Sequence, residues 1–438
     1  MRFFDRKNEL RLLRDIREES GKGSCMTILK GRRRVGKTSL LQEAYGDRDY
    51  LYLFVARKNE ADLCDDFCQE IARYFKLTIP GKMSSFEQVF RFLLDMAERE
   101  ACTVVIDEFQ EFLRVNPSIF STMQRDWDRK KRSAKLNLIV SGSINRMMEQ
   151  IFASDQPLYG RATHEINLAP FTTATVKEIL AEHSPNYTAD DLLALWTFTG
   201  GVAKYVELLM DAGAFTLDAM VKRMISDGST IVNEGKVLLV DEFGKDYGTY
   251  FSILSLIAAG NNSRSEIENA IGSDIGGYLT KLEGEYRLVS KELPVCESKS
   301  NRNVHYTLKD NFLRFWFRFV WKYQSLIELR AYGRLQEFVL RDYRVFSGKT
   351  LEDYFQHKFA EEGKFTKIGN WWDRKGLNEI DIVAVDDFEK TISFCEVKRN
   401  SEKIDLGCLA EKAESFHRAT GVYMDYRADY RALSMSDM

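Results

Sequence analysis

Eight consecutive residues, Gly31-Arg32-Arg33-Arg34-Val35-Gly36-Lys37-Thr38, restrict this chain more than any other feature. They match GxxxxGK[ST], and they follow the apolar run Cys25 to Leu29 and precede a helical pattern that opens near Ser39, the strand–loop–helix frame the motif requires. The glycines let backbone wrap close to a β-phosphate, while the loop N–H groups and the helix N-terminus supply positive potential. Lys37 then reaches the β- and γ-phosphates and the Thr38 hydroxyl reaches Mg2+. Arg32, Arg33, Arg34, Val35 and Ser39 complete the nucleotide-binding segment, with ATP and Mg2+ as the expected ligands. A chance Gly-Lys-Thr turn is the competing reading, and the strand–loop–helix frame argues against it.

Further apolar runs at Leu51 to Val55, Thr103 to Ile106, Leu136 to Val140 and Glu165 to Leu168 are separated by helix-length segments. That alternation predicts βαβ units and a parallel sheet covered on both faces. The run Thr103 to Ile106 ends in Asp107-Glu108. Asp107 would hold Mg2+ through water and Glu108 would polarise the attacking water, which points to hydrolysis rather than binding alone. Two solvated acids at a strand end are the plainer alternative.

Phe4-Asp5-Arg6-Lys7-Asn8-Glu9-Leu10, Gly31 to Thr38, Asp107-Glu108, Ser141-Gly142-Ser143, Tyr159-Gly160-Arg161 and Phe171 together resemble the archaeal-type ATPases of the AAA+ superfamily, near its STAND and origin-recognition branches. The resemblance covers about the first 235 residues. It implies that Phe4 and Arg6 lie near the adenine; an ordinary first helix with surface charges fits them as well. It makes Ser143 the γ-phosphate sensor, where many relatives carry Asn. Arg161 becomes an arginine finger acting on a neighbouring subunit's nucleotide, hence a homo-oligomer, with a surface salt bridge as the alternative. Thr172 to Lys236 reads as a helical lid, and Thr199-Gly200-Gly201-Val202-Ala203-Lys204-Tyr205 resembles the lid motif with Ala203 in the usual Pro position. Lys204 is either a second sensor or, the reading preferred, a lid-surface lysine.

Length and charge bound the rest. A chain of 438 residues holds two to four domains at roughly 100 to 200 residues each. With 63 Lys and Arg against 66 Asp and Glu, net charge is −3, so no global basic field draws it to nucleic acid and any such contact needs a local patch. The 7 Cys lack CxxC spacing, which suits free thiols in a reducing compartment. Met1 to Arg6 has no apolar signal-peptide core and no stretch approaches a membrane span, so a cytoplasmic protein with no membrane partner is expected.

Beyond residue 245 the pattern changes to three short helices, Tyr250 to Ala259, a second capped by Ser263-Arg264-Ser265-Glu266, and Ile275 to Leu282, then strands Tyr286 to Leu293 and His305 to Leu308. That is the order of a winged helix-turn-helix. Ser273, Tyr278, Thr280 and Lys281 would face a groove and Lys299 and Arg302 would flank the wing; a protein-packing module is an equal alternative. Asn311 to Arg344 reads as an aromatic helical connector whose Phe and Trp residues suit an interdomain core. Between Arg302 and Lys349 there are ten Lys or Arg against four Asp or Glu, enough to track a nucleic-acid backbone.

The last stretch reads as a helix from Gly348 to Glu361, strands Phe365 to Trp372, Glu379 to Val385 and Thr391 to Val397, a helix around Leu406 to Phe416 and a strand from Val422. Asp381 and Glu396 are separated by fourteen residues, a hairpin length that brings them together, and Glu396 and Lys398 share one strand face. Glu352 could reach the same point. Such carboxylates bind Mg2+ or Mn2+, which activates water and stabilises a leaving 3′-oxygen, and the lysine orients the water or neutralises charge. With Asn370-Trp371-Trp372 before the hairpin, these residues resemble the PD-(D/E)xK nuclease fold often fused to archaeal-type ATPases. Glu411 and Lys412 add backbone contacts or, preferentially, lie on a solvated helix face.

The expected architecture is thus α/β: a P-loop AAA+ core over 1–171, a helical lid over 172–240, a winged helix over 245–310, the connector over 311–344 and a PD-(D/E)xK nuclease-like domain over 345–438. The expected function is an ATP-hydrolysing ATPase coupled to DNA binding and Mg2+-dependent DNA cleavage. The catalytic set is Glu108, Arg161, Glu352, Asp381, Glu396 and Lys398, and the metal set is Thr38, Asp107, Asp381 and Glu396. A STAND-like nucleotide switch or DNA-binding regulator with an inactive nuclease-like domain is the alternative, followed by an ATPase acting on protein partners.

Overall fold

Burial along short apolar runs, nearly unbroken in the three central strands, builds the first sheet. In the computed structural model these runs become β1 (Cys25–Lys30), β2 (Leu51–Phe54), β3 (Cys102–Asp107), β4 (Leu136–Gly142) and β5 (His164–Asn167). All pair in parallel, in the order β2-β3-β4-β1-β5. Side chains alternate between two separate cores. Val104 and Ile106 of β3 and Leu138 and Val140 of β4 face one, while Val105 and Ile139 face the other. The loops after β1, β3 and β4 gather at the carboxyl edge of this sheet, where open α/β sheets bind ligands. The described residues are 1–46, 49–79, 81–243, 247–296, 303–374 and 376–438. They form two compact units, Arg2–Pro170, and Phe171–Met438 with Met1.

The second unit opens with the helices Thr173–His183, Ala189–Thr199, Ala203–Asp211, Leu217–Met224 and Ile231–Phe243. Between the second and third of these, Gly201 has φ +71°, and a Cβ there would lie 2.5 Å from the Phe171 carbonyl oxygen, so only glycine fits. Gly235 is under a similar demand, since its Cβ would come 2.3 Å from the Trp316 ring. That ring is buried and its Nε1–H donates to the Val232 carbonyl at 3.0 Å, so it has no room to yield. Gly235→Ala is therefore expected to lower stability by about 1–3 kcal/mol despite its better helix propensity. A urea midpoint that is unchanged or raised would contradict this packing.

Helices Tyr247–Ala259 and Arg264–Ile271 and the short turn Gly276–Thr280 precede the antiparallel pair β6 (Val289–Glu292) and β7 (His305–Leu308). The third helix ends earlier than its apolar pattern suggests and widens into a π-type turn, Lys281–Glu285, around Gly284. The first strand is correspondingly shorter than Tyr286 to Leu293. Tyr278 packs edge-on to Tyr250 and the Thr280 hydroxyl bonds the Gly276 carbonyl, so both are occupied locally. Lys299 and Arg302 lie outside the described residues.

The connector is broken where one run was expected: Asn311–Phe315, the π-type turn Trp316–Trp321 and Gln324–Glu328 lead into a single helix, Tyr332–Glu362. Phe312, Phe315, Trp316, Phe317 and Phe319 are buried. The long helix runs through residue 345 without interruption. Its Tyr343 packs on Phe198, Tyr354 stands edge-on to Trp196, and the Glu361 carboxylate accepts from the Thr173 backbone N–H and hydroxyl at 2.8 and 2.6 Å. It continues against β8 (Lys367–Trp372) and β9 (Glu379–Asp386), which form a sheet with β10 (Thr391–Val397) and β11 (Arg427–Leu433) in the order β11-β10-β9-β8. The β9–β10 pair is antiparallel and the β10–β11 pair parallel. The helix Leu406–Thr420 covers one face. The last strand starts five residues later than Val422, because Val422, Tyr423 and Tyr426 pack against the core from a loop.

Candidate functional site

The loop after β1 closes tightly on the sheet. A Cβ on Gly31 would lie 2.7 Å from the Leu168 carbonyl oxygen, and Arg34 and Gly36 both take positive φ, 70° and 100°. Gly36 caps the helix Lys37–Tyr45, and Val35 is buried while Thr38 and Ser39 are exposed. The Lys37 ammonium donates to the Gly31 and Arg32 carbonyls at 2.7 and 3.3 Å. Burial pulls its pKa below the ordinary lysine range, and the charges of Asp107 and Glu108 oppose that shift. Arg33 is close enough to act on Lys37 by repulsion.

Asp107 ends β3 almost fully buried, accepting the Tyr52 hydroxyl at 2.6 Å and the Glu108 N–H at 3.0 Å. Burial, then Asp107, push the Tyr52 pKa up, so the phenol stays a donor. Glu108 itself sits at φ 52°, a strained geometry for a side-chain-bearing residue. Its Oε2 accepts from the Ser143 hydroxyl at 2.9 Å and from Gln110 Nε2. The loops after β1, β3 and β4 therefore assemble a lysine, a buried aspartate and a hydrogen-bonded glutamate at one sheet edge. The Thr38 hydroxyl and the Asp107 carboxylate are hard oxygen donors of the kind Mg2+ takes.

Two residues of the expected set are engaged elsewhere in the first unit. Arg6 caps the helix Lys7–Ser20 in left-handed geometry, is 7% exposed, and donates to the Ala169 carbonyl at 2.5 Å and to Glu9 at 3.4 Å. Phe4 is buried. Arg161 pairs with Asp128 at 3.0 Å and donates to the Tyr159 carbonyl at 2.7 Å. In the second unit, Lys204 is exposed and pairs with Glu207 at 2.7 Å, as a lid-surface lysine would.

The C-terminal acids come together on the β9–β10 hairpin. Register Cys395↔Ile382 sets Glu396 beside Asp381. Lys398 Nζ lies 3.0 Å from Asp381 Oδ2 and 2.8 Å from Glu396 Oε1, so both carboxylates converge on one cationic point. Asp381 is 7% exposed, and its Oδ2 also accepts the Val397 N–H at 2.7 Å. Asn370 bonds the Asp381 carbonyl and is itself held by Gln356, which explains the polar residue beside Trp371-Trp372. Lys412 Nζ reaches Glu396 Oε2 at 2.9 Å. It does not sit on a solvated face: Leu409, Ala413 and Phe416 form the buried stripe, and position 412 borders it. Burial pushes the Glu396 pKa up, and the lysine partners more than offset it, leaving it below the usual range. Burial also works against the Lys398 ammonium, but Glu396 and Asp381 hold its pKa above the ordinary value.

Glu352 Oε2 pairs with Lys349 Nζ at 2.7 Å. Burial raises its pKa to about 7, with Asp381 and Glu379 adding repulsion and Lys349 opposing. The folded protein therefore binds more protons here than the unfolded chain between the ordinary carboxylate pKa and about 7, so this group's contribution to stability falls as pH rises through that window. Glu352→Gln is expected to raise the thermal midpoint at pH 8, by an effect of about 1–3 kcal/mol, and to make little difference near pH 4. A pH-independent difference would contradict the assignment. Among the described residues no group of three or more His, Cys, Asp or Glu side chains is arranged to hold a metal, so a divalent ion here would rest on Asp381 and Glu396 with further oxygens from outside the set.

Asp107, Glu108, Asp381, Glu396 and Lys398 were readable from motif and alternation. Tyr52, Gln110, Asn370 and Lys412 were not singled out as ligand-ordering residues, although Lys412 carried a signal in its place beside a helical apolar stripe. Among the described residues no helix is long and apolar enough to cross a membrane.

Comparison with known proteins agrees with the first unit's geometry. Residues 3–209 match a family described as an ATPase domain predominantly from Archaea, and residues 316–410 match one described as archaeal and bacterial proteins of unknown function. An uncharacterized protein, MJECL04, of Methanocaldococcus jannaschii is 31% identical over 407 residues, spanning 90% of this chain and 87% of that protein. The Walker-type ATPase PABY2304 of Pyrococcus abyssi superposes with a TM-score of 0.53 at 21% identity, covering 72% of this chain and 96% of its own. The Aeropyrum pernix ORC2 protein, solved with ADPNP and ADP, gives 0.53 at 15% identity over 77% and 95%. These two share the fold. The chain therefore belongs to one family with its Methanocaldococcus relative, and carries the archaeal-type ATPase domain over residues 3–209 on an α/β P-loop fold.

Proposed function

We propose that this ATPase couples ATP turnover to DNA binding and to Mg2+-dependent phosphodiester cleavage by its C-terminal module. The observation that carries the second half is the convergence of Asp381 and Glu396 on Lys398, beside Glu352. At the first site Arg32 to Ser39 would enclose the phosphates, Lys37 would bind the β- and γ-oxygens, and Thr38 and Asp107 would hold Mg2+. Glu108 would take a proton from the attacking water, with Ser143 and Gln110 fixing its carboxylate. Ser143 reads the γ-phosphate from the same position, Arg6 lies at the base end, and Arg161, once released from Asp128, would act on a neighbouring copy's nucleotide.

At the second site Asp381 and Glu396 would hold Mg2+ or Mn2+, which supplies charge stabilisation and an acidified water when bound. Lys398 would orient that water and Glu352 would exchange a proton near neutrality. Residues 245–310 serve as a winged helix and 345–438 as the nuclease-like domain, with 172–240 as lid and 311–344 as connector. The test incubates the full chain with supercoiled and linear DNA, Mg2+ or Mn2+, with and without ATP. Metal-dependent cleavage that is lost in Asp381→Ala supports the reading, and no cleavage with either metal refutes it.

One observation favours a second reading, a STAND-like switch whose C-terminal module only binds. Lys398 and Lys412 together balance Asp381 and Glu396 in charge, as a structural scaffold would. That reading expects tight nucleotide retention, slow turnover and intact DNA.

A further inference from the structure

A cleft of about 780 Å3 opens over the ends of β10 and the helix Tyr332–Glu362. Its lining includes Arg344, Lys349, Lys398, Arg399 and Lys403, against the acids Asp190 and Glu352. Lys349 and Lys398 are paired to acids of the site just described. Arg344 and Lys403 are exposed and make no ion pair among the described residues. Arg399 is held in place: it pairs with Asp190 Oδ1 at 2.7 Å, donates to the Ser347 hydroxyl at 2.6 Å and lies 5.2 Å over the Tyr343 ring. Asp190 belongs to the first turn of the helix Ala189–Thr199 and is the one carboxylate bound to this guanidinium among the described residues.

We infer that this cleft takes the phosphate backbone of a single-stranded nucleic acid through Arg344, Arg399 and Lys403, and that Asp190 is a built-in anionic competitor for Arg399. The volume is that of a small-ligand pocket, room for on the order of two nucleotides of one strand and far too little for a duplex. None of the lining residues is aromatic, so backbone charge rather than base stacking must carry the affinity. Three phosphate contacts on a single strand predict a log–log salt slope of about −2. Binding is argued from the cleft alone; that a bound strand is then cut rests on the phosphodiesterase reading above.

The test uses the full chain in EDTA, so that no metal-dependent cleavage intervenes, with short fluorescent oligothymidine, oligouridine and a duplex of equal length. Single strands are expected to bind more tightly than duplex, with little dependence on base. Arg399→Ala and the double variant Arg344→Ala/Lys403→Ala should each weaken single-strand binding roughly tenfold and flatten the salt slope. Asp190→Asn should strengthen it about threefold, a gain that misfolding cannot produce. The double variant removes two exposed side chains without ion pairs, so its loss is not a folding effect. Unchanged single-strand affinity in these variants, or duplex binding as tight with the same dependence on them, overturns the inference. Binding that follows the variants while wild-type protein cuts nothing with Mg2+ or Mn2+ sustains the cleft and refutes only the cleavage.

Discussion

ATP hydrolysis by Lys37→Ala is expected to fall by about two to three orders of magnitude, the size of effect that follows loss of one preorganised charge at a transferring phosphoryl group. Lys37 is half-buried at the carboxyl edge of the sheet, and its ammonium donates to the Gly31 and Arg32 carbonyls. Those acceptors are neutral, so the ammonium is available to the greater negative charge of a triphosphate. The charges of Asp107 and Glu108 favour the ammonium and oppose the burial that lowers its pKa. Removing it leaves a loop whose backbone still closes on Leu168, so the fold should survive and the loss should fall on nucleotide binding and turnover together. Phosphate release and equilibrium nucleotide binding measure this. Retention of more than a tenth of the activity would show that Lys37 is not the phosphate ligand.

On the proposed cleavage reading, Asp381→Ala is expected to reduce metal-dependent cleavage by at least about a thousandfold, because one carboxylate would serve both as metal ligand and as partner of the positioning lysine. The variant also leaves the Val397 N–H without its acceptor and the Lys398 ammonium with Glu396 alone, so some loss of stability, about 1–3 kcal/mol, is expected as well. Asp381→Asn separates the two effects: the amide oxygen can still accept the Val397 N–H, while the negative charge is gone. Both variants should be inactive and only the alanine should be markedly less stable. Cleavage that persists in Asp381→Asn on a folded protein would mean that the site does not work through a metal held by this residue.

Much of the first sheet was legible because its central strands are apolar on both faces and so leave runs of Val, Ile and Leu between helices. The acids at the strand ends were legible for a related reason: an Asp or Glu that closes such a run has no place in the core. What could not be read were partners drawn from elsewhere in the chain. Tyr52 looks like one more apolar residue of β2 until its register against β3 brings its hydroxyl to Asp107. The connector was read as one helix since aromatic residues at helical spacing carry no mark of a π-type turn such as the one that places Trp316 against Gly235 and Phe251. The late start of β11 likewise reflects tertiary packing of Val422 and Tyr426, which local alternation cannot register.

The helix Tyr332–Glu362 has a consequence for how this architecture can vary. It extends about 46 Å at 1.5 Å per residue, and it touches both the early helices of its unit, through Tyr343, Tyr354 and Glu361, and the β8–β9 strands. One inserted residue in its middle would turn everything beyond it by about 100° and carry Glu352 away from Asp381. This segment behaves as a gauge of fixed length and phase. The matched stretch 316–410 begins upstream of that gauge and ends beyond the acidic hairpin, as it would if connector and hairpin are inherited as one piece.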